Sequence, residues 1–138
     1  MGKKLPANYR PSNSEKFMNA NQREYFRQKL VAWRSELLED YEETRQALEA
    51  TDRAGSDFAD MASQETDNTL ELRNRDRERK LVAKIDEALE RIENGTYGYC
   101  AETGNPIGLK RLEARPIASL CIEAQERHER EEARNFRG

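Results

Sequence analysis

Three sets of residues in this 138-residue sequence could do chemistry. The first is the cysteine pair. Cys100-Ala101-Glu102-Thr103-Gly104 and Cys121-Ile122-Glu123-Ala124 read as two halves of a ribbon. A four-cysteine zinc site needs a C-x2-C step in each half, because structural zinc takes four ligands tetrahedrally. Here Thr103 and Ala124 stand where the second cysteines would be. Threonine is a poor zinc ligand and alanine is none, so Cys100 and Cys121 leave the metal half-coordinated, and Glu102, Glu123 or His128 could complete it only in an unusual geometry. The expectation is two small, buried thiols in a metal-free knuckle. The second set is His128, the single histidine, which lies among Gln125, Glu126, Arg127 and Glu129 and reads as a surface helix residue. The third is Asp57 and Asp60 in Ser56-Asp57-Phe58-Ala59-Asp60-Met61-Ala62, two carboxylates at a turn between helical stretches. Acids are favoured at helix N-termini, so capping by itself accounts for their presence. No Ser-His-Asp set, glycine-rich phosphate loop or paired metal motif accompanies them, and the expectation is a protein that is not an enzyme.

The elements that would carry these residues follow from punctuation and periodicity. Residues 1–16 hold Gly2, Pro6 and Pro11 and read as a flexible or irregular lead-in. Residues 17–94 then contain no proline and one glycine, Gly55, which permits two long helices with one break. Over 19–54, Phe26, Leu30, Trp33, Leu37, Tyr41, Thr44, Leu48 and Thr51 fall on one stripe close to a heptad seam. Gly55 suits a left-handed stop, and Asp57 suits the N-cap of a helix over 58–94 whose stripe is Leu70, Leu81, Ile85, Leu89 and Ile92. Arg73 to Lys80 has no apolar residue, which argues against a long dimer seam. Two matched helices joined by a short loop must run antiparallel, each ~50 Å long at ~1.5 Å per residue, with the tip near residues 55–62. Residues 95–138 read as a small zinc-ribbon-like knuckle and a C-terminal helix from about Ala118 to Phe136, packed with the N-terminal base into a globular part.

Composition agrees. Hydrophobic residues make up 36% and charged residues 37%, too polar for a large core but enough for a two-helix seam. No apolar run could span a membrane and no signal peptide follows Lys3 and Lys4, so the expected location is the cytoplasm, with both thiols reduced. Charge is uneven: +6 over residues 1–35, -10 over 36–71 and +1 over 72–138. That pattern suits a partner charged oppositely in two places, and not the single broad basic face that nucleic acid requires.

Three runs carry a resemblance. They are Leu70-Glu71-Leu72-Arg73-Asn74-Arg75-Asp76-Arg77-Glu78-Arg79-Lys80-Leu81; Tyr97-Gly98-Tyr99-Cys100 with Ile107-Gly108 and Arg111 to Pro116; and Asp57-x-x-Asp60-x-Ala62. With them the chain resembles the DksA/TraR family. The resemblance implies a monomeric transcription factor that binds RNA polymerase without direct DNA binding, through its secondary channel. It implies that Asp57, Asp60 and Ala62 form the functional coil tip and destabilise open promoter complexes. It implies action with ppGpp in the stringent response, repressing ribosomal RNA promoters and activating some amino-acid promoters, with Lys84, Arg115 and Leu81 at the ppGpp and polymerase contact. The sequence departs from the family pattern at Thr103 and Ala124, so zinc is not expected, and at Gln125, where the family has a basic residue. The rival readings are a Gre-type transcript-cleavage factor, which also presents acids on a coiled coil, and a structural coiled-coil adaptor.

Overall fold

A computed structural model describes residues 4–54 and 58–137, with side chains described for 4–50 and 69–136. Four helices follow one another: α1 (Ala20–Ala54), α2 (Phe58–Asn94), α3 (Leu109–Ala114) and α4 (Ile122–Arg137). The fold is mostly α, with the expected long antiparallel helical hairpin, knuckle and C-terminal helix. The chain divides into two compact units, one of Met1–Leu30 with Glu87–Gly138, the other of Val31–Asp86.

The first unit has the true core. Asn19 starts α1: its Oδ1 accepts the Gln22 N–H at 2.8 Å, which satisfies one orphan donor of the first turn. The buried Gln22 side chain continues outward, accepting from Met18 N at 2.7 Å and donating to Ser12 O at 3.3 Å. The lead-in is therefore tied to α1, and Tyr9 adds to it by donating to the Glu15 carboxylate at 2.9 Å. Phe26 and Leu30 on α1, Ala88 on α2, and Tyr97, Leu112 and Ile117 are all buried. Phe26 and Tyr97 meet with ring centroids 5.7 Å apart, and the Tyr97 hydroxyl donates to Pro116 O at 2.8 Å. Gly98 has φ +93°, and a Cβ there would lie 2.8 Å from Met18 Cγ, so only glycine lets the lead-in close over this turn.

Two boundaries differ from expectation. Residues 109–114, read only as part of the knuckle, form the short helix α3, whose Leu109 and Leu112 are buried at i, i+3 spacing. It stops because Arg115 precedes Pro116 and is forced out of the helical region, to φ -144°, ψ 85°. The C-terminal helix begins at Ile122 and not near Ala118. The backbone ahead of it is already committed: Ser119 O accepts Ala101 N at 2.8 Å, and Leu120 O accepts Arg111 Nε at 3.0 Å.

Among the described residues the second unit consists of parts of α1 and α2. Their antiparallel pairing is fixed by Arg34 Nε to Asp86 Oδ1 at 2.7 Å and by Arg75, which donates to the Tyr41 hydroxyl at 2.7 Å and lies 4.4 Å over its ring. Between these levels, Leu37, Leu38, Tyr41, Glu78, Arg79 and Val82 line an apolar cavity of about 110 Å³. Trp33, on the expected apolar stripe of α1, is only half-buried, because a two-helix layer leaves one side of a large ring in water. Among the described residues no helix is long and apolar enough to cross a membrane.

Candidate functional site

The knuckle is built on short-range backbone pairing. Cys100 N donates to Asn105 O at 2.8 Å, Gly104 N to Cys100 O at 2.9 Å, and Ile107 N to Gly98 O at 2.7 Å, around a lone antiparallel bridge between Tyr99 and Pro106. This loop carries Cys100 and Thr103, while the entry to α4 carries Cys121 and Ala124. The structure brings all four positions together. Cys100, Cys121 and Ala124 form one buried cluster capped by Leu120, and Thr103 Oγ1 lies 3.8 Å from Cys121 Sγ.

That donor set does not fit zinc. Ala124 is fully buried in the cluster and offers a methyl group where a lone pair is needed. The Thr103 hydroxyl already accepts Asn105 N at 3.2 Å. Among the described residues no group of three or more His, Cys, Asp or Glu is placed to hold a metal ion. Burial pushes the Cys100 thiol up, but hydrogen bonds from the Thr103 hydroxyl and from backbone N–H groups of Cys121, Thr103 and Glu102 outweigh burial, and the net shift is downward.

One cross-element contact has no signal in the sequence. His128 Nε2 on α4 pairs with Glu102 Oε1 in the knuckle loop, 26 residues away. The hydrogen bond to Glu102 raises the histidine pKa, and the Glu102, Glu131 and Glu132 charges act in the same direction. His128 is the surface helix residue expected, and it also clasps the loop to the helix. A second such contact is Lys29, which pairs with Glu113 at 2.7 Å, so that α1 holds α3.

The remaining sequence-derived positions are scattered over other elements. Leu81 is half-buried and Lys84 exposed, both on α2 in the Val31–Asp86 unit. Arg115 is exposed at the end of α3. Gln125 donates to Glu129 at 3.2 Å. Asp57 lies outside the described residues, as does the proposed stop at Gly55. Asp60 and Ala62 fall in the first turns of α2, and their side chains lie outside the described ones.

Comparison with known proteins follows this division of the chain. Residues 22–92 match the model of the DnaK suppressor protein DksA, N-terminal domain, and residues 95–130 match the prokaryotic dksA/traR C4-type zinc finger. The RNA polymerase-binding transcription factor DksA of Caulobacter vibrioides is 60% identical over 126 residues, 91% of this chain and 89% of that one. The protein of the same name from Escherichia coli K12 is 43% identical over 117 residues, 85% of this chain and 78% of that one. The structure of transcription factor DksA2 from Pseudomonas aeruginosa superimposes with a TM-score of 0.79 at 48% identity, covering 85% of this chain and 90% of that one. A helical hairpin followed by a knuckle with two of four zinc cysteines replaced, matched along nearly its whole length, places the chain in the DksA family.

Proposed function

We propose that this protein is a transcription factor that binds RNA polymerase through the secondary channel, as a monomer in the cytoplasm and without contacting DNA. The observation that carries the reading is the 60% identity to a relative named for polymerase binding, extending over 91% of the chain. In this reading residues 17–94 are the effector arm. Asp57, Asp60 and Ala62 at its tip act near the polymerase active site and destabilise open promoter complexes. Docking belongs to the flanks of the hairpin and to the base that residues 95–138 form with the N-terminal segment, and the knuckle holds its shape by packing and hydrogen bonding without zinc. Leu81, Lys84 and Arg115 contribute to the contact with polymerase and ppGpp. Both cations are exposed, as a phosphate-rich ligand requires, while Gln125 leaves one cation fewer than the family pattern. The regulatory outcome is repression of ribosomal RNA promoters and activation of some amino-acid promoters.

The test separates docking from action. Asp60→Asn removes a charge while nearly keeping shape and capping ability, since asparagine caps as well as aspartate. The variant should bind polymerase within a few-fold of wild type and fail to inhibit transcription from a ribosomal RNA promoter. Normal inhibition at saturating binding would remove the tip from the mechanism. Shortening of RNA in a backtracked polymerase complex would point to Gre-type cleavage instead.

A further inference from the structure

The Val31–Asp86 unit has two unlike outer faces. Its helices meet through Arg34, Leu37 and Tyr41 on α1 and through Arg75, Glu78, Val82 and Asp86 on α2. Residues that lie roughly 130–180° around each helix from that contact side form its back. On α1 the back carries Glu36, Glu39 and Glu43; on α2 it carries Arg73, Arg77, Lys80 and Lys84. All seven are exposed. Among the described residues none of the seven makes an ion pair, whereas Arg34, Arg45 and Arg79 of the same unit all do. The two stripes are also level with each other. The Tyr41–Arg75 and Arg34–Asp86 contacts set Glu36 beside the Lys84 end and Glu43 beside the Arg73 end. One stretch of the pair, ~16 Å long, is therefore acidic on one back and basic on the other.

This arrangement disfavours the free protein. Like charges at i, i+3 and i, i+4 stack along each stripe and cost each helix a few tenths of a kcal/mol per pair. An intramolecular solution is absent because the stripes face away from each other. Resting on the polymerase reading above, we propose that this stretch seats between two protein walls of opposite charge. A basic wall meets Glu36, Glu39 and Glu43, and an acidic wall meets Arg73, Arg77, Lys80 and Lys84. The roll of the helical pair about its own axis is thereby set by electrostatics. Nucleic acid is the poorer occupant, because residues 31–86 carry nine Lys/Arg against fifteen Asp/Glu, a net -6, with the acids spread over the opposite face.

Two triple variants in the full-length chain test this: Arg73→Gln/Arg77→Gln/Lys80→Gln and Glu36→Gln/Glu39→Gln/Glu43→Gln. They move the net charge from -3 to -6 and to 0, respectively. Affinity for purified RNA polymerase core is measured at several salt concentrations. Both variants should bind about three- to thirtyfold more weakly at low salt, and the gap should close as salt screens it. If polymerase senses only net charge, one variant weakens and the other tightens; a Glu variant that binds as well as or better than wild type overturns the inference. Thermal melts control for folding, and Glu39→Gln and Arg77→Gln singly should shift affinity in the same direction with the fold untouched. Binding of wild type to a labelled single-stranded oligonucleotide, lost in the Arg/Lys variant alone, would make the acidic partner nucleic acid and overturn the protein-wall assignment. A wild-type chain that does not bind polymerase sinks the proposed function and this inference with it, whereas tight wild-type binding with an unaffected Glu variant sinks the inference alone.

Discussion

The two units are stabilised by different means. In the first, Phe26, Leu30, Tyr97 and Leu112 are nearly or wholly out of water and packed on every side. In the second, Ile85 is buried, but Leu37, Tyr41 and Val82 are half-buried, Val31, Leu38, Leu70 and Leu72 are exposed, and Arg34–Asp86 and Arg75–Tyr41 add to the cross-helix order. A helical pair can therefore keep its register with little buried area. Exposed ion pairs contribute little stability each, so register more than stability is what they supply.

The comparison breaks most visibly on substitution of its anchors. Phe26→Ala should lower stability by about 3–5 kcal/mol, whereas Leu37→Ala, half in water already, should cost only about 1–2 kcal/mol. Denaturant melts measure both, and equal costs would erase the distinction between core and arm. Trp33→Ala belongs with Leu37, not with Phe26, because its ring is half-exposed. A smaller effect sharpens the account of the knuckle. Replacing Cys100 and Cys121 together with Ser should cost about 1–2 kcal/mol from the loss of buried thiol packing and leave polymerase binding intact. The wild-type melt should be unchanged by chelator, and elemental analysis should find well under one zinc per chain. Stoichiometric zinc would show that the Thr103 hydroxyl or another donor completes a site. The smallest effect is at His128. Its folded-state pKa is raised by Glu102, so the clasp adds stability below the unfolded histidine value and loses it as pH climbs through the raised one. Wild type should melt above His128→Gln at about pH 6, and the gap should shrink on going to alkaline pH. A gap that widened with pH would assign His128 a neutral role.

The helices were legible because proline and glycine are rare across residues 17–94 and the apolar stripe runs unbroken from Phe26 to Tyr41. The predicted bounds of 19–54 and 58–94 lie within a residue of α1 and α2. Helix α3 was not legible, since two leucines three apart between Gly108 and Pro116 look like any loop. The proximity of Cys100, Thr103, Cys121 and Ala124 followed from their matched spacing. The Glu102–His128 and Lys29–Glu113 pairs did not, because side chains 26 and 84 residues apart carry no periodic signature. The lead-in looked irregular by composition, and its ties through Gln22 and Glu15 depend on a fold that composition does not encode.

The sequence separations of these contacts rise steadily away from the turn between α1 and α2: 34 for Tyr41 with Arg75, 52 for Arg34 with Asp86, and 84 for Lys29 with Glu113. Loop closure grows costlier with length, so the inner pairs are the cheaper ones to form first. On the ribosome, the first residues made must wait for nearly the last. Phe26 has no Tyr97, and Met18 no Gly98, until most of the chain has emerged. The arm can zip while synthesis continues, but the packed base is a product of chain completion. A nascent chain halted before residue 97 would expose Phe26 and Leu30 to water, which makes truncated products of this protein natural clients for chaperones and proteases.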